Sequence, residues 1–133
     1  MMRAILLLSL FASAARAETI YVSNEESNVV HVVDGSTLAL KGTVEIGQGP
    51  RGLALSADGK TLYVAVSKDN RITAVDAASG KVLAHIPSGP DPETFTVSPD
   101  GKRLYVANED DNLLSFVDAD ARQRFAGSVA RAF

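Results

Sequence analysis

The chain has 133 residues, with 13 basic and 16 acidic side chains and no cysteine, which gives a net charge of -3. A mildly acidic chain gives no electrostatic reason to expect nucleic-acid binding. The absence of cysteine excludes disulfides, zinc–thiolate sites and thiol nucleophiles, so stability has to come from packing.

The first seventeen residues predict a secretory signal peptide. Arg3 supplies a positive start, residues 4–14 are apolar, and Ala15-Arg16-Ala17 resembles a cleavage site with small residues at its two ends. The apolar run is shorter than the roughly 20 residues that a membrane-spanning helix needs. We therefore expect export, cleavage after Ala17 and a mature chain without a membrane span.

The rest of the chain is built from a repeat. Tyr21-Val22-Ser23-Asn24 returns as Tyr63-Val64-Ala65-Val66 and again as Tyr105-Val106-Ala107-Asn108, with a step of 42 residues each time. Other positions keep the same step, among them Asn28, Asn70 and Asn112; Asp34, Asp76 and Asp118; Gly47 and Gly89; and Pro50 and Pro92. A fixed period of this length is the signature of a repeat architecture.

Each repeat reads as four short strands joined by tight turns. Apolar residues alternate at spacing two, and Asp58-Gly59, Asp69-Asn70, Ser79-Gly80 and Gly89-Pro90 mark the turns between them. Four strands in about 40 residues describe one blade of a β-propeller. We assign strands A to D of the second blade, from the axis outwards, to residues 52–56, 61–66, 71–76 and 81–86.

The predicted fold is thus an all-β propeller of four-stranded antiparallel blades. After the signal peptide at 1–17, blade 1 covers residues 18–51 without its strand A, blade 2 covers 52–93, and blade 3 covers 94–133 with an incomplete end. About two and three-quarter blades cannot close a ring, which typically needs about four to eight. We expect a part of a larger ring, or self-assembly if the short chain is genuine.

The repeat resembles a known family. Tyr-Val-x-Asn, then Asn, then Val-Val-Asp, with Ser-Pro-Asp-Gly-Lys opening the next blade, resembles the YVTN-type β-propeller repeats. Residues 21–25, 88–93 and 105–112 are similar to the PQQ-dependent catabolism-associated β-propeller proteins. This resemblance implies a periplasmic, seven-bladed ring that is encoded alongside quinoprotein alcohol oxidation, with a quinoprotein dehydrogenase or cytochrome as partner. It implies no catalytic residue.

No local catalytic motif is present. The only histidines, His31 and His85, align with Thr73, Ser115 and Thr43, so both are expected to face solvent. No spacing of His, Glu or Ser indicates zinc or serine chemistry. We therefore expect no catalytic, metal or cofactor site.

Charged residues instead gather in loops that share one rim. Alternating strand direction puts the loops between strands B and C on the same rim as the connections between blades. Arg51 and Glu93 occupy equivalent positions just before strand A, near the channel mouth. Such loops are where function usually lies, although charge in a hairpin loop also serves solubility alone. The candidate rim-binding residues are Arg51, Asp91, Glu93, Glu109, Asp110 and Asp111.

Two function hypotheses follow. The first is an exported, non-catalytic binding or scaffold module, accessory to PQQ-dependent alcohol oxidation, in which the rim binds a protein partner. The alternative is a lactonase-like hydrolase propeller that uses Arg51, Glu93 and a histidine at the channel mouth. The histidines lie on the outer strands C and D, which favours the first hypothesis.

Overall fold

The computed structural model describes residues 18–120 and 123–131, and the predicted signal peptide at 1–17 lies outside them. The described part is built from antiparallel β-strands and one short 3-10 turn, at Ser67–Asp69. The strands are β1 (Thr19–Asn24), β2 (Val29–Asp34), β3 (Leu40–Glu45), β4 (Pro50–Leu55), β5 (Thr61–Val66), β6 (Arg71–Asp76), β7 (Val82–Pro87), β8 (Pro92–Val97), β9 (Arg103–Asn108), β10 (Leu113–Asp118) and β11 (Gln123–Arg131).

These strands form three sheets in chain order, and each sheet is one blade. Blade 1 is β1-β2-β3, blade 2 is β4-β5-β6-β7, and blade 3 is β8-β9-β10-β11. Every neighbouring pair within a blade is antiparallel. The predicted all-β propeller architecture is confirmed.

The strand bounds follow the turn residues closely. In blade 2 the strands predicted at 61–66 and 71–76 are β5 and β6 to the residue. The strand predicted at 52–56 is Pro50–Leu55, and the one predicted at 81–86 is Val82–Pro87. Both differences sit beside an irregularity of the pairing, since the register shifts between Pro50 and Leu53 and again between Ala74 and Val75. A β-bulge leaves no signal in an alternating pattern.

A left-handed asparagine closes the turn between the second and third strands of a blade. Asn28, Asn70 and Asn112 have φ of 62, 55 and 53°. Asparagine tolerates this conformation better than most residues do. Its side chain then holds the connection to the next blade, since Asn28 Oδ1 accepts a hydrogen bond from the N–H of Gly49 at 3.0 Å.

The hydrophobic core lies between the blades, in two clusters. Blades 1 and 2 bury Val30, Ile46, Leu62, Val64, Val66 and Val75 between them. Blades 2 and 3 bury a second cluster, which includes Tyr63, Ile72, Ile86, Leu104, Val106 and Val117. Alternate side chains of one strand point to opposite faces of the sheet. Each blade therefore supplies one face to the blade before it and the other to the blade after it.

The innermost strands of blades 2 and 3 approach each other closely at Gly52. A β-carbon at this position would lie only 2.9 Å from the backbone oxygen of Glu93 and from the Cα of Thr94. Glycine is the residue that permits such an approach. The close approach brings Arg51, at the start of β4, beside Glu93, at the start of β8. Within the described residues, no helix has the length and apolar character needed to cross a membrane.

Candidate site at the upper rim

The candidate site lies on one rim of the blades, which we call the upper rim. It is formed by the turns β1–β2, β5–β6 and β9–β10 and by the connections β3–β4 and β7–β8. These segments meet at the starts of β4 and β8, so residues far apart in sequence become neighbours. The lower rim, at the opposite ends of the strands, carries the turns β4–β5 and β8–β9.

Arg51 is the central cation of the upper rim. Its guanidinium forms an ion pair with Glu93, and Nη2 lies 3.3 Å from Oε1 of Glu25. The side chains of Arg51 and Glu93 are 32% and 29% exposed, so the pair borders solvent. The hydrogen bond with Glu93 is the main cause that raises the pKa of Arg51, and the negative charges of Glu93, Glu25 and Asp91 raise it further. Arg51 therefore remains a fixed positive charge among carboxylates.

Three carboxylates gather beside this cation. One oxygen from each of Asp91, Glu93 and Glu109 lies within 4.8 Å of the others. The hydrogen bond from Glu109 to Glu93, followed by the negative charge of Glu93, raises the pKa of Glu109. Two close carboxylates favour sharing one proton because both cannot ionise without repulsion. Such a pair can accept or donate a proton closer to neutral pH than an isolated carboxyl group. Carboxylate oxygens are also the ligand type of hard cations.

Asp91 occupies a position where the repeat otherwise has glycine. Its φ is 47°, and the equivalent residue in the preceding connection, Gly49, has φ of 70°. The N–H of Asp91 donates to Oδ1 of Asn70 at 2.9 Å, which is the counterpart of the bond between Gly49 and Asn28. A non-glycine residue in this region carries local backbone strain. The asparagine contact holds the strained backbone and thereby places the carboxylate at the site.

A pocket of about 420 Å³ opens next to the carboxylates, between blades 2 and 3. The hydroxyl-bearing residue Ser67 lines it and is 2% exposed. Cationic, anionic, amide and hydroxyl groups all border the pocket, which suits a small polar ligand. The lining residues are Arg51, Ser67, Lys68, Asn70, Asp91 and Asp110.

The structure brings five of the six candidate residues together. Arg51, Asp91, Glu93 and Glu109 form the charged cluster, and Asp110 lines the adjoining pocket. Asp111 is turned into its own loop, where Oδ1 accepts a hydrogen bond from the N–H of Leu113 at 3.1 Å. Asp111 is therefore a turn residue rather than a member of the cluster.

The candidate list omits four contributors to this region. Glu25 and Lys68 are recognisable from the sequence as charged residues of the loops between strands B and C, whereas Ser67 and Asn70 are not indicated as site residues. Glu25, Ser67 and Glu109 occupy the same position of successive repeats. Because Glu109 was a candidate, this alignment was the available signal for Glu25 and Ser67. Asn70 was visible only as a repeated turn residue, and its contact with the N–H of Asp91 depends on the folded path of the chain.

Neither histidine lines the upper-rim pocket. His85 is exposed, as expected, with Nδ1 3.3 Å from Oγ1 of Thr73. His31 differs from the expectation because it is half-buried, and its Nδ1 has no hydrogen-bond partner among the described residues. Any proton transfer at the upper rim would therefore rely on carboxylates.

The family model described as "Lactonase, 7-bladed beta-propeller" matches residues 11–131. The chain belongs to this lactonase propeller family. Family membership overturns the leading hypothesis of a non-catalytic module accessory to PQQ-dependent oxidation, together with the expectation that the protein is not an enzyme, and supports the lactonase-like alternative. The error has a physical cause. A propeller site is assembled from single residues of several repeats, so the absence of a local motif says little about catalysis.

A solved structure adds to this assignment. The chain is similar to a chain of Kuenenia stuttgartiensis hydrazine synthase, with 28% identity and a TM-score of 0.76. The similarity covers 80% of this chain and 31% of that one, so the chain spans about a third of its structural relative. Comparison with curated proteins gave no match.

Proposed function

We propose that the upper rim of this lactonase-family propeller takes part in the hydrolysis of a small lactone. The observation that carries the proposal is the convergence of Arg51 with Asp91, Glu93 and Glu109 beside a polar pocket. Family membership supports the reaction class. The residues supply a cation, a carboxylate pair and space for a ligand at one place.

The proposed reaction needs only these groups and water. An ionised carboxylate of the Glu93–Glu109 pair accepts a proton from water as the oxygen attacks the lactone carbonyl carbon. The guanidinium of Arg51 stabilises the negative charge that develops on the carbonyl oxygen. The ring C–O bond then breaks, and its oxygen takes the proton back, which leaves a hydroxy acid.

Lactone turnover by the full chain tests this proposal. We expect Glu93→Gln to lower kcat/KM by roughly a hundredfold or more, because it removes the acceptor of the proton pair and the partner of Arg51. Glu26→Gln is the matched control, since Glu26 lies in the exposed β1–β2 turn of the same rim. Turnover that is equal in both variants and in the parent chain would contradict the proposal.

We also propose that the repeats are of the YVTN type and that the chain is exported to the periplasm. The repeated Tyr-Val motif and the apolar residues 4–14 support these two points. N-terminal sequencing of the periplasmic protein is expected to begin at Glu18. A chain that keeps residues 1–17 and remains in the cytoplasm would refute the export proposal.

A further inference from the structure

A second pocket lies between blades 1 and 2 at the lower rim. Its volume is about 450 Å³, and it shares no lining residue with the upper-rim pocket. Strands β1, β2 and β3 of blade 1 form one wall, and β5, the end of β6 and the β6–β7 turn of blade 2 form the other. Both walls belong to neighbouring blades of the described chain, so the pocket is a feature of the packing between blades.

Two contacts join the walls of this lower-rim pocket. The hydroxyl of Tyr21, on β1, donates a hydrogen bond to the backbone oxygen of Ala77, in the β6–β7 turn, at 2.9 Å. Gly80 of the same turn lies against Val44 of β3, because a β-carbon at Gly80 would be 3.0 Å from Cγ2 of Val44. The space between the walls is therefore held at a fixed width by the two blades.

The same place between blades 2 and 3 is closed by packed side chains. Three residues there correspond to lining residues of the pocket, and Tyr63, Ala74 and Ala119 are only 8%, 3% and 7% exposed. Ala84 packs against the same cluster. The counterpart of Ala84 in blade 1 is Gly42, and a β-carbon there would meet no atom within 4 Å. Gly42 is thus a position at which the repeat leaves space between two blades.

The lining combines an apolar floor with a polar mouth. Leu62 and Val75 are each 1% exposed and form the deepest part, together with the half-buried Val32 and Val44. The exposed Lys41 and Thr43 lie at the mouth. Sites for small molecules commonly have this composition, in which apolar side chains supply most of the contact and a few polar groups fix the orientation of the ligand.

The charges at the mouth indicate the sign of the ligand. Asp76 is committed to its own turn, since Oδ1 accepts hydrogen bonds from the N–H of Ser79 at 2.8 Å and from its hydroxyl at 2.7 Å. Lys41 takes part in none of the ion pairs among the described residues. The ammonium of Lys41 is therefore the charge available to a ligand, and it attracts an anion.

We infer that the lower-rim pocket binds a small carboxylic acid with a short apolar chain. The chain of the ligand lies on the floor of Leu62 and Val75, and its carboxylate faces the ammonium of Lys41. The pocket has the size of small-molecule sites, which span about 300–1,000 Å³. The inference does not rest on the proposed hydrolysis, because the two pockets have no residue in common.

The test is a titration of the isotope-labelled full chain with hexanoate, followed in amide proton–nitrogen correlation spectra. We expect hexanoate to shift the amide signals of Gly42 and Gly80, which line the pocket. Gly59 and Gly101, in lower-rim turns outside the lining, are the matched reporters that should not move. Hexanol, which lacks the charge, should bind about fivefold more weakly, and acetate, which lacks the chain, should not bind.

Two substitutions separate the apolar floor from the charge. Gly42→Leu fills the pocket and should abolish the shift at Gly80, and it is expected to fold because the added side chain enters open space and the backbone has no positive φ there. Lys41→Met should weaken hexanoate binding about fivefold and leave hexanol binding unchanged. Lys102→Met is the matched control, since Lys102 is exposed and outside the lining.

Several outcomes would overturn the inference. They are a hexanoate titration that leaves Gly42 and Gly80 unmoved, binding in Gly42→Leu that equals binding in the parent chain, and hexanol that binds as tightly as hexanoate. An equal effect of Lys41→Met and Lys102→Met on hexanoate binding would do the same. Because Lys41 is exposed, its variant tests the site even if Gly42→Leu does not fold.

Discussion

The two rims of the blades are built by the same repeat, yet the lower rim keeps the same hydrogen-bonding side chains at equivalent positions of successive blades, whereas the upper rim changes several of its side chains. On the lower rim, Ser56 and Asp58 in one turn match Ser98 and Asp100 in the next. The serine hydroxyl donates to the aspartate at 2.6 Å in both, and the aspartate accepts a backbone N–H at 3.0 Å in both.

On the upper rim, equivalent positions carry different chemistry. Arg51 corresponds to Glu93, and Gly49 corresponds to Asp91. The backbone contact at this rim is nevertheless the same, since an asparagine holds both connections. The comparison indicates that side chains repeat where they support the fold, as the serines, aspartates and asparagines do. They differ at positions 49, 51, 91 and 93, where the side chains do not hold the turn and are available for a ligand.

The largest effect that this comparison predicts is at Arg51. We expect Arg51→Met to lower lactone kcat/KM by roughly a hundredfold, because no other described cation contacts the Glu93 carboxylate. The free energy of unfolding should change by about 1 kcal/mol or less, since the ion pair borders solvent. Steady-state kinetics and urea unfolding measure the two effects.

Arg71→Met provides the control for Arg51. Arg71 pairs with Asp69 at 2.8 Å with similar exposure, and neither belongs to the carboxylate cluster. Its substitution should cost similar stability and leave turnover intact. An equal loss of turnover in both variants would remove the distinction between the cluster and the rest of the rim.

A lower-rim substitution should lower the stability of the fold and leave lactone turnover unchanged. Ser98 is 7% exposed, donates to Asp100, and accepts a hydrogen bond from the N–H of Arg103 at 2.9 Å. We expect Ser98→Ala to lower the free energy of unfolding by about 1–2 kcal/mol, because the N–H of Arg103 loses its acceptor. Turnover should be unchanged. The exposed Ser36→Ala serves as control in urea unfolding, and a loss of turnover in Ser98→Ala alone would contradict the division between the rims.

The smallest expected effect concerns the proton shared by Glu109 and Glu93. Because the pKa of Glu109 is raised above 4.5 in the folded chain, its ionisation opposes folding above that raised pKa. The penalty disappears below the unfolded pKa, where the carboxyl group is protonated in both states. Glu109→Gln should therefore melt slightly higher than the parent at about pH 7 and equally below about pH 4. Asp110→Asn controls for the lost charge, and a gain that persists in acid would exclude the shared proton.

Much of the fold could be predicted because the turns carry their own chemistry. Asp58-Gly59 and Asp69-Asn70 fixed the limits of β5 and β6 to the residue. β4 starts at Pro50, two residues before the predicted start, because proline is a poor strand signal and its pairing with Val66 precedes a register shift. An alternating pattern contains no mark of such a shift.

The candidate site was less accessible from the sequence. Strand direction indicates which loops share a rim, so Arg51 and Glu93 could be paired in advance. The direction of each side chain within its loop cannot be predicted in this way. Asp111 accepts a hydrogen bond within its own loop, whereas Glu25 forms an ion pair with Arg51. Catalysis was misjudged because its residues come from separate repeats, so no short motif records them.

The hydrogen bond from the N–H of Asp91 to Asn70 has a consequence for engineering. The amide of Asn70 fixes the backbone whatever side chain follows, as Asn28 does for glycine at position 49. Positions 51, 91 and 93 can therefore carry other side chains on an unchanged backbone, whereas position 49 requires glycine, because its φ is 70° and a β-carbon there would lie 2.7 Å from Oγ of Ser67. A combinatorial library at positions 51, 91 and 93 should keep its fold while it samples new substrates, and duplication of a blade would supply further positions of the same kind.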